Sequence, residues 1–135
     1  DAAPGFRNTA KRVLIAWDGS REAAQAVRGA MPFLYQASEI FVLTAHRGDD
    51  DQEAMDQINQ RLLSFLGVHD VEAGSFMVQQ EGVSSGKSIL KQSAAINADL
   101  IVMGAYGHSR FREIILGGAT RYMLQHAGIP VLFAH

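Results

Sequence analysis

A chain of 135 residues, 47% hydrophobic and 19% charged, has the composition of one globular domain, able to bury roughly two thirds of the surface its unfolded form exposes. A formal net charge of −2 with both signs intermixed excludes the electrostatic footprint of a nucleic-acid or anionic-membrane binder. The absence of cysteine excludes disulfide frameworks and thiolate metal sites.

Residues 1–11 carry Pro4, Gly5 and no periodicity, and read as a linker or tail ahead of a domain over residues 12–135, either whole or one half of a tandem protein. Residues 13–17 are continuously apolar and rich in β-formers, the pattern of a strand covered on both faces. Asp18, Gly19 and Ser20 supply turn and cap chemistry, and Glu22 puts a carboxylate in the first turn of a helix. That helix is expected to run to about Leu34, with Ala23, Ala26, Val27, Ala30 and Phe33 inward and a kink or early end at Pro32. Residues 40–45 repeat the buried-strand pattern. Met55, Ile58, Leu62 and Phe65 then mark a second helix, placed to end at Gly67.

Residues 71–79 are expected to form a third strand, weakened by Gly74. A third helix starts near Ser84 or Ser85, with Ile89, Leu90, Ala94 and Ile96 inward, and residues 100–103 make a fourth strand. A loop spans residues 104–117, a fourth helix runs from about Gly118 to His126, Gly128 breaks it, and residues 131–134 form the last strand. Five strands alternating with four helices predict right-handed βαβ crossovers: an α/β, doubly wound, mainly parallel five-stranded sheet with helices on both faces. No apolar run approaches the roughly 20 residues that span a bilayer, so a soluble protein without a membrane partner is expected. A cytoplasmic, reducing setting is the default for a cysteine-free chain.

Ligands of such sheets bind outside the carboxyl ends of the strands, where strand order reverses. The fourth strand ends in Gly104-Ala105-Tyr106-Gly107, and nine residues later come Gly117, Gly118, Ala119 and Thr120, opening the next helix. Glycines let backbone approach an anion closely, and a helix N-terminus offers unpaired N–H groups and a positive dipole end. Tight turns alone would also account for one such glycine pair, but the second pair favours a phosphate site.

Gly104-x-x-Gly107, nine residues and Gly117 resemble the nucleotide signature of the universal stress protein family. Residues 13–20, 98–103 and 129–133 are similar to that family's opening strand with its Asp-Gly-Ser turn, its fourth strand and its closing strand. The resemblance implies a dimerising fold that in many members holds ATP, with magnesium, between the first and fourth strand ends. By position, Asp18 would lie beside the adenine and Ala45 would line the base pocket. Gly104 and Gly107 would make the ribose and phosphate loop, and Gly117, Gly118, Ala119 and Thr120 the phosphate-binding helix start. The strand-end residues Ala16 and Met103 and the cationic Arg110 complete the candidate set. The family's nucleotide binders carry Ser or Thr directly after the third glycine, where this chain has Gly118. The implied function is an adenine-nucleotide-binding regulatory stress-response module with little or no turnover; the alternative is a nucleotide-free dimerisation module. Homodimerisation is expected through Val131, Leu132 and Phe133, which would otherwise leave an exposed apolar edge.

Competing motifs have simpler readings. Gly82 to Ser88 has three residues between its glycines, where a P-loop needs four, and suits a serine-capped helix start. His46 and His108 lack metal partners at characteristic spacing, and Asp49-Asp50-Asp51 suits an acidic helix cap. No nucleophile with a paired base is visible, so a dedicated hydrolase is not expected and any ATP turnover would be slow.

Overall fold

Strands and helices alternate in the computed structural model, which describes residues 10–46, 52–79, 85–104 and 118–134. The elements are β1 (Arg12–Ala16), α1 (Arg21–Gln36), β2 (Glu39–His46), α2 (Gln52–Val68), β3 (Gly74–Gln79), α3 (Ser85–Ala95), β4 (Leu100–Gly104), α4 (Gly118–His126) and β5 (Val131–Ala134). The sheet order is β3-β2-β1-β4-β5, and all four pairings are parallel. The doubly wound expectation is met.

Successive strand side chains point to opposite faces, so a continuously apolar strand serves two cores at once. Val13, Ile15, Val42, Leu100 and Val102 join Ala26, Val27 and Leu34 of α1 and Leu62 and Leu66 of α2 in one core. Leu14, Leu43, Ile101 and Met103 join Ile89 of α3 and Met123 of α4 in the other. Val13, Leu14 and Ile15 are wholly enclosed. Each stabilises the fold by about 1.5–3 kcal/mol relative to exposure.

Three local expectations are corrected. Pro32 does not end α1, which continues to Gln36. Pro32 and Arg28 both lie on the exposed face, so the carbonyl that loses its i+4 donor is left toward water. Gly67 does not end α2. The helix runs one residue further, to Val68, and is capped by Asp70, at φ 60°, with Val71 N–H donating to the Leu66 carbonyl (2.8 Å) and Asp70 N–H to that of Gly67 (3.0 Å). In α3, Ala94 is exposed, and Ser93 is buried with its hydroxyl donating to the Leu90 carbonyl (2.9 Å). That helix also ends in a left-handed residue, Asn97 at φ 56°.

Ordered packing reaches back to Ala10, which is buried, and the Lys11 carbonyl accepts the amides of Ser38 and Glu39. At this amino end of the sheet the Asp99 carboxylate accepts the amides of Lys11 (3.0 Å) and Arg12 (2.9 Å).

Candidate functional site

The chain moves from β1 to β2 and β3 on one side, then returns past β1 to β4 and β5 on the other, so the strand order reverses between β1 and β4. Their carboxyl ends are in register, Ala16 opposite Met103, with Leu43 of β2 opposite Ala16 on the far side. In a parallel sheet each crossover helix runs back against the strands, so α1 and α4 begin at this carboxyl end, with their positive dipole ends beside the reversal.

The β1–α1 turn is built by three residues in succession. The Asp18 carboxylate accepts the Ser20 amide (2.9 Å), and Gly19 takes φ +76°, where a side chain would be strained. The Ser20 hydroxyl then accepts the Ala23 amide (3.1 Å) as the N-cap of α1. Asp18 is exposed at the strand end. It therefore has a structural task and still presents a negative group at the reversal point.

Gly104 closes the other side. A Cβ at this position would sit 2.6 Å from the Ala23 nitrogen and 2.8 Å from the Glu22 carbonyl carbon. The glycine thus lets the end of β4 reach the backbone of the first turn of α1, a packing role beside the ligand role the resemblance implies. Ala16 is half-buried, with its small side chain toward the α3 and α4 face. Met103 is buried in that same core, so its side chain is committed to packing. Thr120, in the first turn of α4, is also buried. Ala45 lies near the end of β2, opposite Val78 of β3. Gly118 and Ala119 open α4. Gly107, Arg110 and Gly117 lie outside the described residues, as do His108 and Asp49 to Asp51.

Two residues that the sequence reading left aside shape this end of the molecule. Trp17 follows the last residue of β1; its amide donates to the Leu43 carbonyl and its indole Nε1–H to the Ile58 carbonyl of α2, both at 2.9 Å. Asn59, buried in α2, accepts the hydroxyl of the buried Thr44 (2.8 Å). Asn59 falls on the inward stripe of α2 beside Leu62 and Leu66, and a polar residue at a core position is the signal that could have found it.

The rival P-loop glycine also has a packing explanation. A Cβ on Gly86 would lie 2.7 Å from the Tyr122 Cβ, so this glycine seats α3 against α4, while Lys87 is exposed. A groove of about 510 Å³ between the carboxyl ends of α1 and α2 lies at the opposite end of the sheet, lined by Tyr35, Asp70 and Glu72 among others. Two helix carboxyl ends and two carboxylates disfavour an anion there. Among the described residues no cluster of three or more His, Asp or Glu side chains is placed to hold a metal ion, and no helix is long and apolar enough to cross a membrane.

The model of the universal stress protein family matches residues 9–135. A universal stress protein of Synechocystis (Slr1230) is 27% identical over 129 residues, covering 92% of this chain and 42% of the relative, so the chain spans less than half that relative's length. Among solved structures, UspA of Lactobacillus plantarum superposes with a TM-score of 0.73 at 17% identity, covering 93% of this chain and 97% of that one. The Archaeoglobus fulgidus universal stress protein in complex with dAMP gives 0.66 at 18% identity, covering 93% and 98%. An Arabidopsis thaliana family member with AMP bound gives 0.63 at 15% identity, covering 92% and 90%. At these identities the structural likenesses establish the fold.

Proposed function

This chain belongs to the universal stress protein family, and from that premise we propose that it is a regulatory module that binds an adenine nucleotide, ATP with magnesium first among them, with little or no turnover. The observation that carries the reading is the meeting of β1 and β4 at the strand reversal, closed by Gly104 against the first turn of α1. Relatives of the same fold were solved with AMP and dAMP. In this reading the base lies near Asp18 and the phosphates extend toward the start of α4, where backbone amides and the helix dipole offset their charge. Magnesium accompanies the triphosphate and is held mainly by its oxygens.

Calorimetric titration of the purified chain with MgATP tests the proposal: saturable binding is expected. Asp18→Asn, which keeps an oxygen for the Ser20 amide and removes the charge, is expected to weaken it. Absence of binding to MgATP, AMP and dAMP alike overturns the proposal.

Gly118 favours a second reading, a nucleotide-free dimerisation module, since it offers no hydroxyl where the family's nucleotide binders have one. Both readings include a homodimer through β5, an edge strand whose Val131, Leu132 and Phe133 are only half-buried within one chain. Light scattering at micromolar concentration is expected to give twice the chain mass. A dimer that binds no nucleotide supports the second reading, and a monomer overturns the β5 interface.

A further inference from the structure

We infer that Trp17 is a positioning residue of the site: by tying the end of β1 to the middle of α2, it sets the conformation in which the Asp18–Gly19–Ser20 turn meets ligand. This rests on the nucleotide reading above.

Three contacts converge on one short stretch of α2. The Trp17 indole donates to the Ile58 carbonyl at 2.9 Å. Gly19 lies against the same residue, close enough that a Cβ there would be 3.0 Å from Ile58 Cγ2. The next residue, Asn59, accepts the Thr44 hydroxyl at 2.8 Å in the core, beside the last residues of β2. Residues 17 and 19 thus both rest on Ile58, and Asp18 stands between them. Its carboxylate is exposed, while the residues on either side are fixed to a helix about 40 positions further along the chain.

The turn is also tied to the sheet by the Trp17 amide, which donates to the Leu43 carbonyl, and to α1 by the Ser20 cap. Gly19 contributes no side chain, and the Asp18–Ser20 bond, at 2.9 Å, lies within the turn itself. A glycine at positive φ is a point where the chain can open, and a turn that samples several conformations binds its ligand more weakly by the fraction of time it spends in the wrong ones. The indole bond is directional, and its donor is attached to the residue just before Asp18. Losing it removes the tie between the turn and α2 while the Asp18 carboxylate is kept.

Trp17 is also the only tryptophan of the chain, so its signals report on this contact alone. The first measurement needs no ligand: exchange of the Trp17 indole proton with deuterated solvent, followed by NMR. Strong slowing relative to free tryptophan is expected, and exchange at the free rate overturns the inference. The second compares MgATP binding by calorimetry for wild type, Trp17→Phe and Ile40→Val, the last a core change remote from the turn. Trp17→Phe keeps an apolar ring and removes the donor, and is expected to raise Kd about tenfold, as loss of preorganisation does. Ile40→Val is expected to leave Kd within about twofold while lowering the melting temperature. Equal Kd values in wild type and Trp17→Phe overturn the positioning role, as does a parallel rise in Ile40→Val, which would trace the effect to stability alone. A wild type that binds no nucleotide defeats the functional reading instead, a result distinct from both.

Discussion

Gly104→Ala is the sharpest test of how the site is assembled, because its effect can be worked from distances. The added carbon would lie 2.6 Å from the Ala23 nitrogen, about 0.9 Å inside the roughly 3.5 Å optimum for such a pair. Glu22 and Ala23 present helix backbone, which cannot rotate aside as a flexible side chain could. Either the start of α1 moves outward or the end of β4 bends. Overpacking of this kind costs about 1–3 kcal/mol, and rigid neighbours put it near the upper figure. Removing a glycine returns about 1 kcal/mol by stiffening the unfolded chain. The net loss is about 2 kcal/mol, or a fall of about 8 °C in melting temperature for a domain of this size. Gly29→Ala is the matched control: it lies inside α1, and its added Cβ would meet Leu132 Cδ2 at an ordinary 3.9 Å. It is expected to stabilise by about 0.8–1 kcal/mol through helix propensity. Calorimetric melting of both variants decides the matter. If Gly104→Ala melts as high as Gly29→Ala, the close approach of β4 to α1 is wrong.

Three further outcomes are expected. Asn97→Gly relieves a left-handed residue that closes α3 and should raise stability by about 0.5–1 kcal/mol in urea denaturation, whereas Asn97→Ala should lower it. Asn59→Leu alone strands the buried Thr44 hydroxyl and should cost about 1–3 kcal/mol. Thr44→Val with Asn59→Leu should recover most of that loss, and a double-mutant cycle without coupling would refute the pair. Gly118→Ser restores a hydroxyl at the start of α4 and should tighten MgATP binding about tenfold by calorimetry, as one charge-assisted hydrogen bond does.

What was legible from sequence alone divides along physical lines. Strands β1, β2 and β4 announce themselves because both faces are buried, and runs such as Val13-Leu14-Ile15 leave little room for another reading. The Asp18–Ser20 turn was legible for a different reason: Asp, Gly and Ser each do one local job there, and all three are observed. Helix ends were less legible. Gly67 looked like the stop for α2, yet the left-handed cap falls on Asp70 and the helix runs one residue past the glycine, to Val68. Pro32 misled for a similar reason, since its cost depends on which face of α1 it occupies, and that face is set by the sheet. The Trp17–Ile58 contact was beyond reach, because a pairing between residues 41 positions apart leaves no periodic trace. Gly104 was noticed as a phosphate-loop glycine and Gly86 only within a rejected P-loop, while the packing that requires them is visible only once α1 and α4 are in place.

The route of α1 bears on how the molecule is made. This helix follows the first strand, yet it lies against elements near the other terminus: its Ala23 meets Gly104, and its Gly29 meets Leu132. While the polypeptide is emerging from the ribosome, β1, β2 and α2 can cover part of the apolar stripe of α1, but the part that faces β4 and β5 stays bare until those strands have been synthesised. Such late closure slows assembly and leaves the nascent chain dependent on holding factors. A chain stopped anywhere ahead of β4 would be a target for proteases, however complete its first βαβ unit.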